Sequence, residues 1–163
     1  MSGIYIHIPF CKQACHYCNY HFSTSLKNKE SVINSMIKEI EIKSIGNNDM
    51  IETIYFGGGT PSFFDTSEIN KIIDSISKKF KISTNPEITL EANPDDLSSI
   101  KVKELSNSFI NRLSIGIQSF NDRELKLMNR SHNSKEAKNC IDDALKYYDN
   151  ISIDLIFGMP DSN

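Results

Sequence analysis

The stretch IYIHIPFCKQACHYC, residues 4–18, joins a short strand pattern to a cluster of cysteines. Apolar and polar residues alternate over residues 4–8 and the pattern stops at Pro9, which predicts a β-strand with its isoleucines on one face. Tyr5 and His7 then share the opposite face. The cysteines follow directly, so the loop after this strand is the first candidate for a chemical site.

Strand and helix patterns alternate along the rest of the chain. Strands are predicted over residues 4–8, 53–56, 87–92, 112–118 and 151–157, and helices over residues 29–45, 67–80, 97–105 and 135–148. Strands joined through helices form right-handed crossovers in a parallel sheet. We therefore expect an α/β fold, a partial (β/α) barrel of the TIM type with helices outside and about five βα units.

The length of the chain sets a limit on that barrel. A closed barrel needs roughly 250 residues, whereas this sequence has 163. We expect one domain over residues 1–163 that is the N-terminal part of a longer one, cut after the fifth strand. The apolar side of that strand, including Ile153, Leu155 and Phe157, would then be uncovered.

Composition excludes several classes of protein. Apolar residues make up 39% of the chain and charged residues 24%, with a net charge of −3 and scattered lysines and arginines. This argues against binding of nucleic acid or an anionic membrane. Because there is neither a long apolar run nor a signal-peptide pattern at the start, we expect a cytoplasmic protein that meets membranes only through partners.

Polar residues on the predicted strands mark the expected interior of the barrel, whose mouth lies at the carboxyl ends of the strands. Period two places these side chains inward: Tyr5, His7, Thr53, Tyr55, Glu87, Thr89, Glu91, Arg112, Ser114, Gln118, Ser152 and Asp154. The apolar residues between them would pack against the helices. The alternative is an antiparallel sheet with one solvated face.

Three of the four cysteines, Cys11, Cys15 and Cys18, lie within one short loop. In a cytoplasmic protein this points to metal or redox chemistry. Three thiolates suit a cubane iron–sulfur cluster and leave one iron open to a small molecule. A closed zinc site would instead need a fourth ligand, from His16 or His21.

The C-x3-C-x2-C spacing, with Tyr17 before the last cysteine, resembles the signature of the radical S-adenosylmethionine (SAM) superfamily. Five sequence motifs resemble those of the HemN and HemW group and occur in the same order: YIHIPFC (5–11), YFGGGTPS (55–62), LEANPDD (90–96), NRLSIGIQSF (111–120) and DLIFGMP (154–160). The resemblance covers almost the whole chain.

This resemblance implies a set of site residues. Three irons of a 4Fe-4S cluster would be held by Cys11, Cys15 and Cys18, with SAM on the fourth. SAM or substrate would be contacted by Tyr5, Tyr17, Gly58, Gly59, Thr60, Glu91, Gln118, Arg130 and Asp154. In the glycine turn, formed by Gly58, Gly59 and Thr60, exposed backbone amides would bind the amino-acid end of SAM. Period two already places Glu91, Gln118 and Asp154 inward, whereas Arg130 depends on the resemblance alone.

The implied chemistry is one-electron reduction of SAM to methionine and a 5'-deoxyadenosyl radical that abstracts a hydrogen atom. HemN-type oxidases carry a further cysteine where this chain has Tyr20, which favours the HemW branch. That branch is a heme chaperone that binds heme and transfers it to hemoproteins. The alternative is an oxygen-independent coproporphyrinogen III oxidase. The implied partners are SAM, heme or a porphyrinogen, an electron donor and recipient hemoproteins.

Four residues or motifs also have purely structural interpretations. The GGGTP segment could be an ordinary turn, and Glu91 could be a core carboxylate paired with Arg112. We expect Cys140 to be a buried helical thiol and His132 to lie at the surface.

Overall fold

Five strands form one sheet in the computed structural model, which describes residues 2–160. The strands are β1 (Ser2–Ile8), β2 (Met50–Gly58), β3 (Lys81–Ala92), β4 (Arg112–Gln118) and β5 (Ile151–Leu155). They lie in the sheet in chain order, and every neighbouring pair is parallel. The predicted parallel α/β architecture is confirmed, and the antiparallel alternative is excluded.

Helices connect these strands: α1 (Lys29–Lys43), α2 (Thr66–Lys79), α3 (Ser99–Ser106), α4 (Asp122–Leu127) and α5 (Ser134–Ala144). The sequence patterns missed α4, because six residues are too few to show a helical period. Its signal is the cap residue Asn121, whose side chain accepts a hydrogen bond from the Arg123 amide at 2.9 Å. Within residues 2–160, none of the helices combines the length and apolar character needed to cross a membrane.

Local sequence explains where the longer helices begin. At the start of α2, the Asp65 amide donates to the Glu68 carboxylate at 2.9 Å. At the start of α5, Asn133 Oδ1 accepts from the Glu136 amide at 3.0 Å, and Glu136 returns the bond to the Asn133 amide at 2.9 Å. These reciprocal bonds satisfy amides that a helix leaves free in its first turn.

The core lies between the helices and the apolar face of the sheet. The residues that fill it include Ile54, Phe56, Leu90, Leu113, Ile115, Ile72, Ile73 and Ile76, all almost fully buried. β5 differs from the central strands, because Ile153 and Leu155 are half-exposed. Phe157, predicted to end this strand, lies beyond it and is 96% exposed. The predicted uncovered apolar side is therefore observed.

β2 and β3 both begin earlier than predicted. The pair Ile51–Ile82 is followed by the pair Thr53–Glu87, so the register shifts and residues 83–86 have no partner on β2. Pro86 lies in this bulge, where its lack of an amide hydrogen breaks no bond of the ladder. The alternating sequence pattern starts only after the bulge, so it does not predict the earlier part of β3.

Leu113 provides a test of the core. It lies on β4 between Leu90 and Ile151 and is fully buried. We expect Leu113→Ala to lower the free energy of unfolding by about 2–5 kcal/mol, because it loses apolar contact and leaves a cavity. Urea unfolding followed by circular dichroism measures this. Ile45→Ala, at an 81% exposed position, is the control and should stay within about 0.5 kcal/mol of the parent; equal losses would contradict the described core.

Candidate functional site

A cleft of about 260 Å³ opens at the carboxyl ends of the strands. The predicted site residues that line it are Cys11, Cys15, Tyr17, Cys18, Gly58, Gly59, Thr60, Glu91, Gln118, Arg130 and Asp154. They come from all five strands or the loops that follow them, together with the segment after α4. The fold therefore brings together every predicted position except Tyr5.

Tyr5 lies outside this cleft and is 56% exposed. Its hydroxyl hydrogen-bonds to His7 Nδ1 at 3.2 Å, and its ring stacks on Tyr55 with centroids 6.0 Å apart. His7 is nearer the carboxyl end of β1, and its ring lies beneath Gly58. Tyr5 therefore faces inward as predicted, but it lies farther than His7 from the carboxyl end of β1, beside the rings of His7 and Tyr55.

The cysteine loop, residues 11–18, enters the cleft from β1. The Cys11 amide donates to Ser23 O at 3.1 Å, and the Cys18 amide donates to Cys15 O at 3.2 Å, forming a tight turn. Burial raises the pKa of the Cys11 thiol. Because a metal-bound cysteine is a thiolate, metal binding here must release a proton.

Arg130 connects three parts of the cleft. One guanidinium nitrogen donates to Asn93 Oδ1 at 2.7 Å and to Gly116 O at 2.6 Å. The other donates to the Tyr17 hydroxyl at 3.2 Å and lies 3.5 Å from Cys15 Sγ. A cation is thereby fixed beside the cysteine loop, where it favours negatively charged sulfur.

Asn93 is a residue that sequence reasoning missed. It lines the cleft, and its side-chain amide also donates to Thr60 Oγ1 at 3.2 Å. Asn93 thus joins Arg130 to the glycine turn. Its position directly after a strand of a parallel barrel was the available signal, because such residues form the mouth of the site.

Glu91 projects from the end of β3 into the cleft. Its carboxylate accepts hydrogen bonds from the Tyr55 hydroxyl at 2.7 Å and from the Gly58 amide at 3.2 Å. Burial raises the pKa of Glu91, although both bonds favour the charged form. The alternative pairing with Arg112 is not observed, because Arg112 donates to Ser152 Oγ at 3.0 Å instead.

The glycine turn works differently from the expectation. The Gly59 amide donates to Ile8 O and the Thr60 amide donates to Phe10 O, both at 2.7 Å. With the Gly58 amide on Glu91, all three amides expected to bind SAM already hold protein oxygen atoms, so that part of the prediction is wrong. A Cβ on Gly59 would lie 2.6 Å from Phe10 O. The missing side chain admits the backbone that leads to the cysteine loop.

The zinc alternative lacks a converging ligand set. Across residues 2–160, no three His, Cys, Asp or Glu side chains are grouped as ligands of one metal ion. His16 Nδ1 donates to Leu127 O at 2.9 Å, so the ring is held by the backbone. The cysteines of a four-iron cluster each bind a different iron, so their sulfur atoms lie farther apart than the ligands of a single ion while still lining one cleft.

Two further expectations concern residues outside the cleft. Cys140 is a buried thiol of α5, and burial raises its pKa to about 12; this agrees with the structural interpretation. His132 is 96% buried rather than at the surface, since only 4% of it is exposed. Its Nε2 hydrogen-bonds to Ile117 O at 3.0 Å, which draws the ring against the end of β4.

The sequence model described as the radical SAM superfamily matches residues 5–163. This chain belongs to the radical SAM superfamily. Members use SAM and a 4Fe-4S cluster, and a cleft that combines three cysteines with polar strand-end residues fits both groups. The expected family and fold class are therefore confirmed.

Two relatives show which members of the superfamily this chain resembles. The chain is 41% identical to the "Heme chaperone HemW" of Buchnera aphidicola subsp. Acyrthosiphon pisum over 97% of this chain and 43% of that protein. It is 38% identical to that of Bacillus subtilis over 98% of this chain and 43% of that protein. It therefore spans less than half the length of these relatives. The resemblance to the HemN and HemW group is confirmed.

A solved structure supports the fold. The coproporphyrinogen III oxidase HemN from Escherichia coli, described as a radical SAM enzyme, superposes with a TM-score of 0.88 and 24% sequence identity. The match covers 96% of this chain and 37% of that one. The partial barrel expected from the sequence is thus the architecture of a known radical SAM protein.

Two neighbouring carboxylates, Asp95 and Asp96, follow β3 and bind residues of the segments that line the cleft. Asp95 pairs with Lys12 at 2.8 Å, and Asp96 accepts from Ser62 Oγ at 3.0 Å. Although burial raises it, hydrogen bonds from Lys12 and Ser131 hold the pKa of Asp95 below its usual value. Asp96 has no such cation partner within the described residues, and burial together with the charge of Asp95 raises its pKa to about 6.

Asp96→Asn tests this electrostatic arrangement. Because the pKa of Asp96 is raised on folding, the native protein binds its proton more tightly than the unfolded chain, and stability falls as pH rises from about 4 to about 6. We expect the variant to match the parent near pH 4 and to exceed it by about 2 kcal/mol at pH 7. Urea unfolding across this pH range measures the difference; a difference independent of pH would contradict the assignment.

Proposed function

We propose that this chain forms the cluster-binding and SAM-binding region of a heme chaperone of the HemW type. The observation that carries the proposal is the convergence of the three cysteines and the polar strand ends on one cleft, in a chain similar to proteins named heme chaperone HemW. Transfer of heme to recipient hemoproteins, and a partner that donates electrons, belong to this proposal.

The cluster would be held by Cys11, Cys15 and Cys18. All three line the cleft, and the loop that carries them is fixed to the rest of the protein by hydrogen bonds. Arg130 supplies positive charge beside Cys15. A bound cluster would supply one electron to SAM.

SAM would lie between the cysteine loop and the strand ends. Glu91 and Asp154 offer carboxylates for its amino group or ribose hydroxyls, and Arg130 offers a cation for its carboxylate. Tyr55 and the Gly58 amide fix the orientation of Glu91, so the acceptor is in place before SAM arrives. Gln118, whose backbone φ is +66°, lines the cleft at the end of β4.

Tyr20 favours the chaperone over the oxidase. It lines the cleft where an oxidase would carry its additional cysteine, and it is 68% exposed. A phenol has no sulfur atom, so Tyr20 cannot supply the thiol that the resemblance assigns to an oxidase at this position. The proposed role is therefore binding and delivery of heme rather than oxidative decarboxylation of a porphyrinogen.

Heme binding without porphyrinogen turnover is the direct test. We expect the full-length protein, reconstituted anaerobically with iron and sulfide, to bind heme in an absorbance titration. With reductant and SAM present, it should leave coproporphyrinogen III unconverted when products are separated by chromatography. Formation of protoporphyrinogen IX would establish the oxidase instead. A protein that neither binds heme nor converts the porphyrinogen would contradict both.

Cys15→Ala tests the cluster ligands. Loss of one of three thiolates should remove most iron and sulfide from the reconstituted protein, together with its brown absorbance, because the remaining two cannot hold a four-iron cluster. Cys140→Ala is the matched control, since this buried thiol lies on α5 away from the cleft. Iron and sulfide analysis measures both. Full iron content in Cys15→Ala would remove that residue from the ligand set.

A further inference from the structure

Each of the five residues between the cysteines forms a hydrogen bond or an ion pair with another part of the protein. Lys12 pairs with Asp95 at 2.8 Å. Tyr17 accepts a hydrogen bond from Arg130 at 3.2 Å. The remaining three, Gln13, Ala14 and His16, are all bonded to the segment that ends α4.

That segment has the bonds of a Schellman motif. The Asn129 amide donates to Lys126 O at 3.1 Å, and the Arg130 amide donates to Leu125 O at 2.9 Å. Asn129 itself has a left-handed backbone, with φ of +56°. Glycine is the usual residue at this position, because a side chain there is strained.

The side chain of Asn129 has a use that glycine could not supply. Its Oδ1 accepts from Gln13 Nε2 at 2.8 Å, and its Nδ2 donates to Ala14 O at 2.8 Å. Gln13 Nε2 also donates to the Asn129 carbonyl at 2.9 Å. One residue thus holds both positions that precede Cys15.

The cysteine loop also satisfies carbonyl groups that the end of α4 leaves free. Met128 O accepts from the His16 amide at 3.1 Å, and Leu127 O accepts from His16 Nδ1 at 2.9 Å. With the Asn129 carbonyl on Gln13, three successive carbonyls bind the loop. Helix ends need such donors, so the loop and the helix end stabilise each other.

We propose that Asn129 is a positioning residue that holds the cysteine loop in its cluster-binding shape before iron arrives. Ordering a free loop costs conformational entropy at each residue. The hydrogen bonds to Asn129 order the loop while the protein folds, so cluster binding does not carry this cost. The inference rests on the proposed ligation by Cys11, Cys15 and Cys18. Asn129 itself binds no iron in this arrangement.

Asn129→Gly tests the proposal with little backbone cost. Glycine keeps the left-handed turn and removes both side-chain bonds. We expect the reconstituted full-length protein to lose iron to a chelator about tenfold faster than the parent, as the loss of two hydrogen bonds implies. Asn121→Ala is the matched control, because it weakens the opposite end of α4 without touching the loop. It should lose iron at the parental rate.

Gln13→Ala provides the second arm. It removes the donor to Asn129, so we expect faster iron loss to the chelator. In the double variant with Asn129→Gly, the change in the logarithm of the rate of iron loss should be smaller than the sum of the two single changes. The reduced cluster in each variant should also change its electron paramagnetic resonance spectrum, because Cys15 directly follows the clamped residues. A global loss of stability would not produce that change.

The outcomes separate this inference from the ligand assignment. Parental iron retention in Asn129→Gly, equal loss in Asn121→Ala, or full additivity with Gln13→Ala would overturn the role of Asn129. In each of these cases, loss of iron from Cys15→Ala would leave the cysteine assignment standing. Iron retained in Cys15→Ala would instead remove the basis of the proposal.

Discussion

The guanidinium of Arg130 donates to Gly116 on β4, to Asn93 after β3 and to Tyr17 in the cysteine loop. These acceptors are far apart in the sequence, and a planar fork of donors can reach all of them where the single ammonium of lysine could not. The walls of the cleft are therefore fixed relative to one another by one side chain. The arrangement also places permanent positive charge beside Cys15, where negative charge on sulfur is required.

The parallel sheet determines where this junction can form. Parallel strands end at the same edge, so the residues after β1, β2 and β3 meet although the chain passes through a helix between them. Glu91 shows the result, since it takes hydrogen bonds from Tyr55 on the neighbouring strand and from the turn that follows it. The apolar residues on the opposite face keep this geometry rigid by packing against α1 and α2.

Periodicity predicted the fold and part of the site. Alternation alone placed Glu91, Gln118 and Asp154 inward, and the spacing of the cysteines indicated iron–sulfur chemistry. Arg130 was beyond such reasoning, because it follows a six-residue helix that shows no period. Asn93 directly follows a predicted strand, but its role was missed because it depends on Arg130 and Thr60 from two other segments.

Other features depend on contacts that no local pattern encodes. The amides of Gly59 and Thr60 are occupied because the chain before Cys11 passes close beside the turn, and this approach is a tertiary property. Tyr5 obeys the predicted strand alternation, yet its height on the sheet keeps it out of the cleft. His132 lies between α4 and α5 with its ring against the end of β4, and the sequence patterns did not reveal this placement.

The bonds between the cysteine loop and Asn129 join residues 115 and 116 positions apart. The sheet, in contrast, is built by strands that pair with the next strand in the chain, so each pairing closes only a short segment. Because closing a longer loop costs more entropy, we expect these contacts to form after the strand pairings. During synthesis, the thiols of the loop therefore emerge long before the segment that anchors them. A cluster delivered before α4 has docked would meet a cysteine loop that still lacks its hydrogen bonds to residues 127–129.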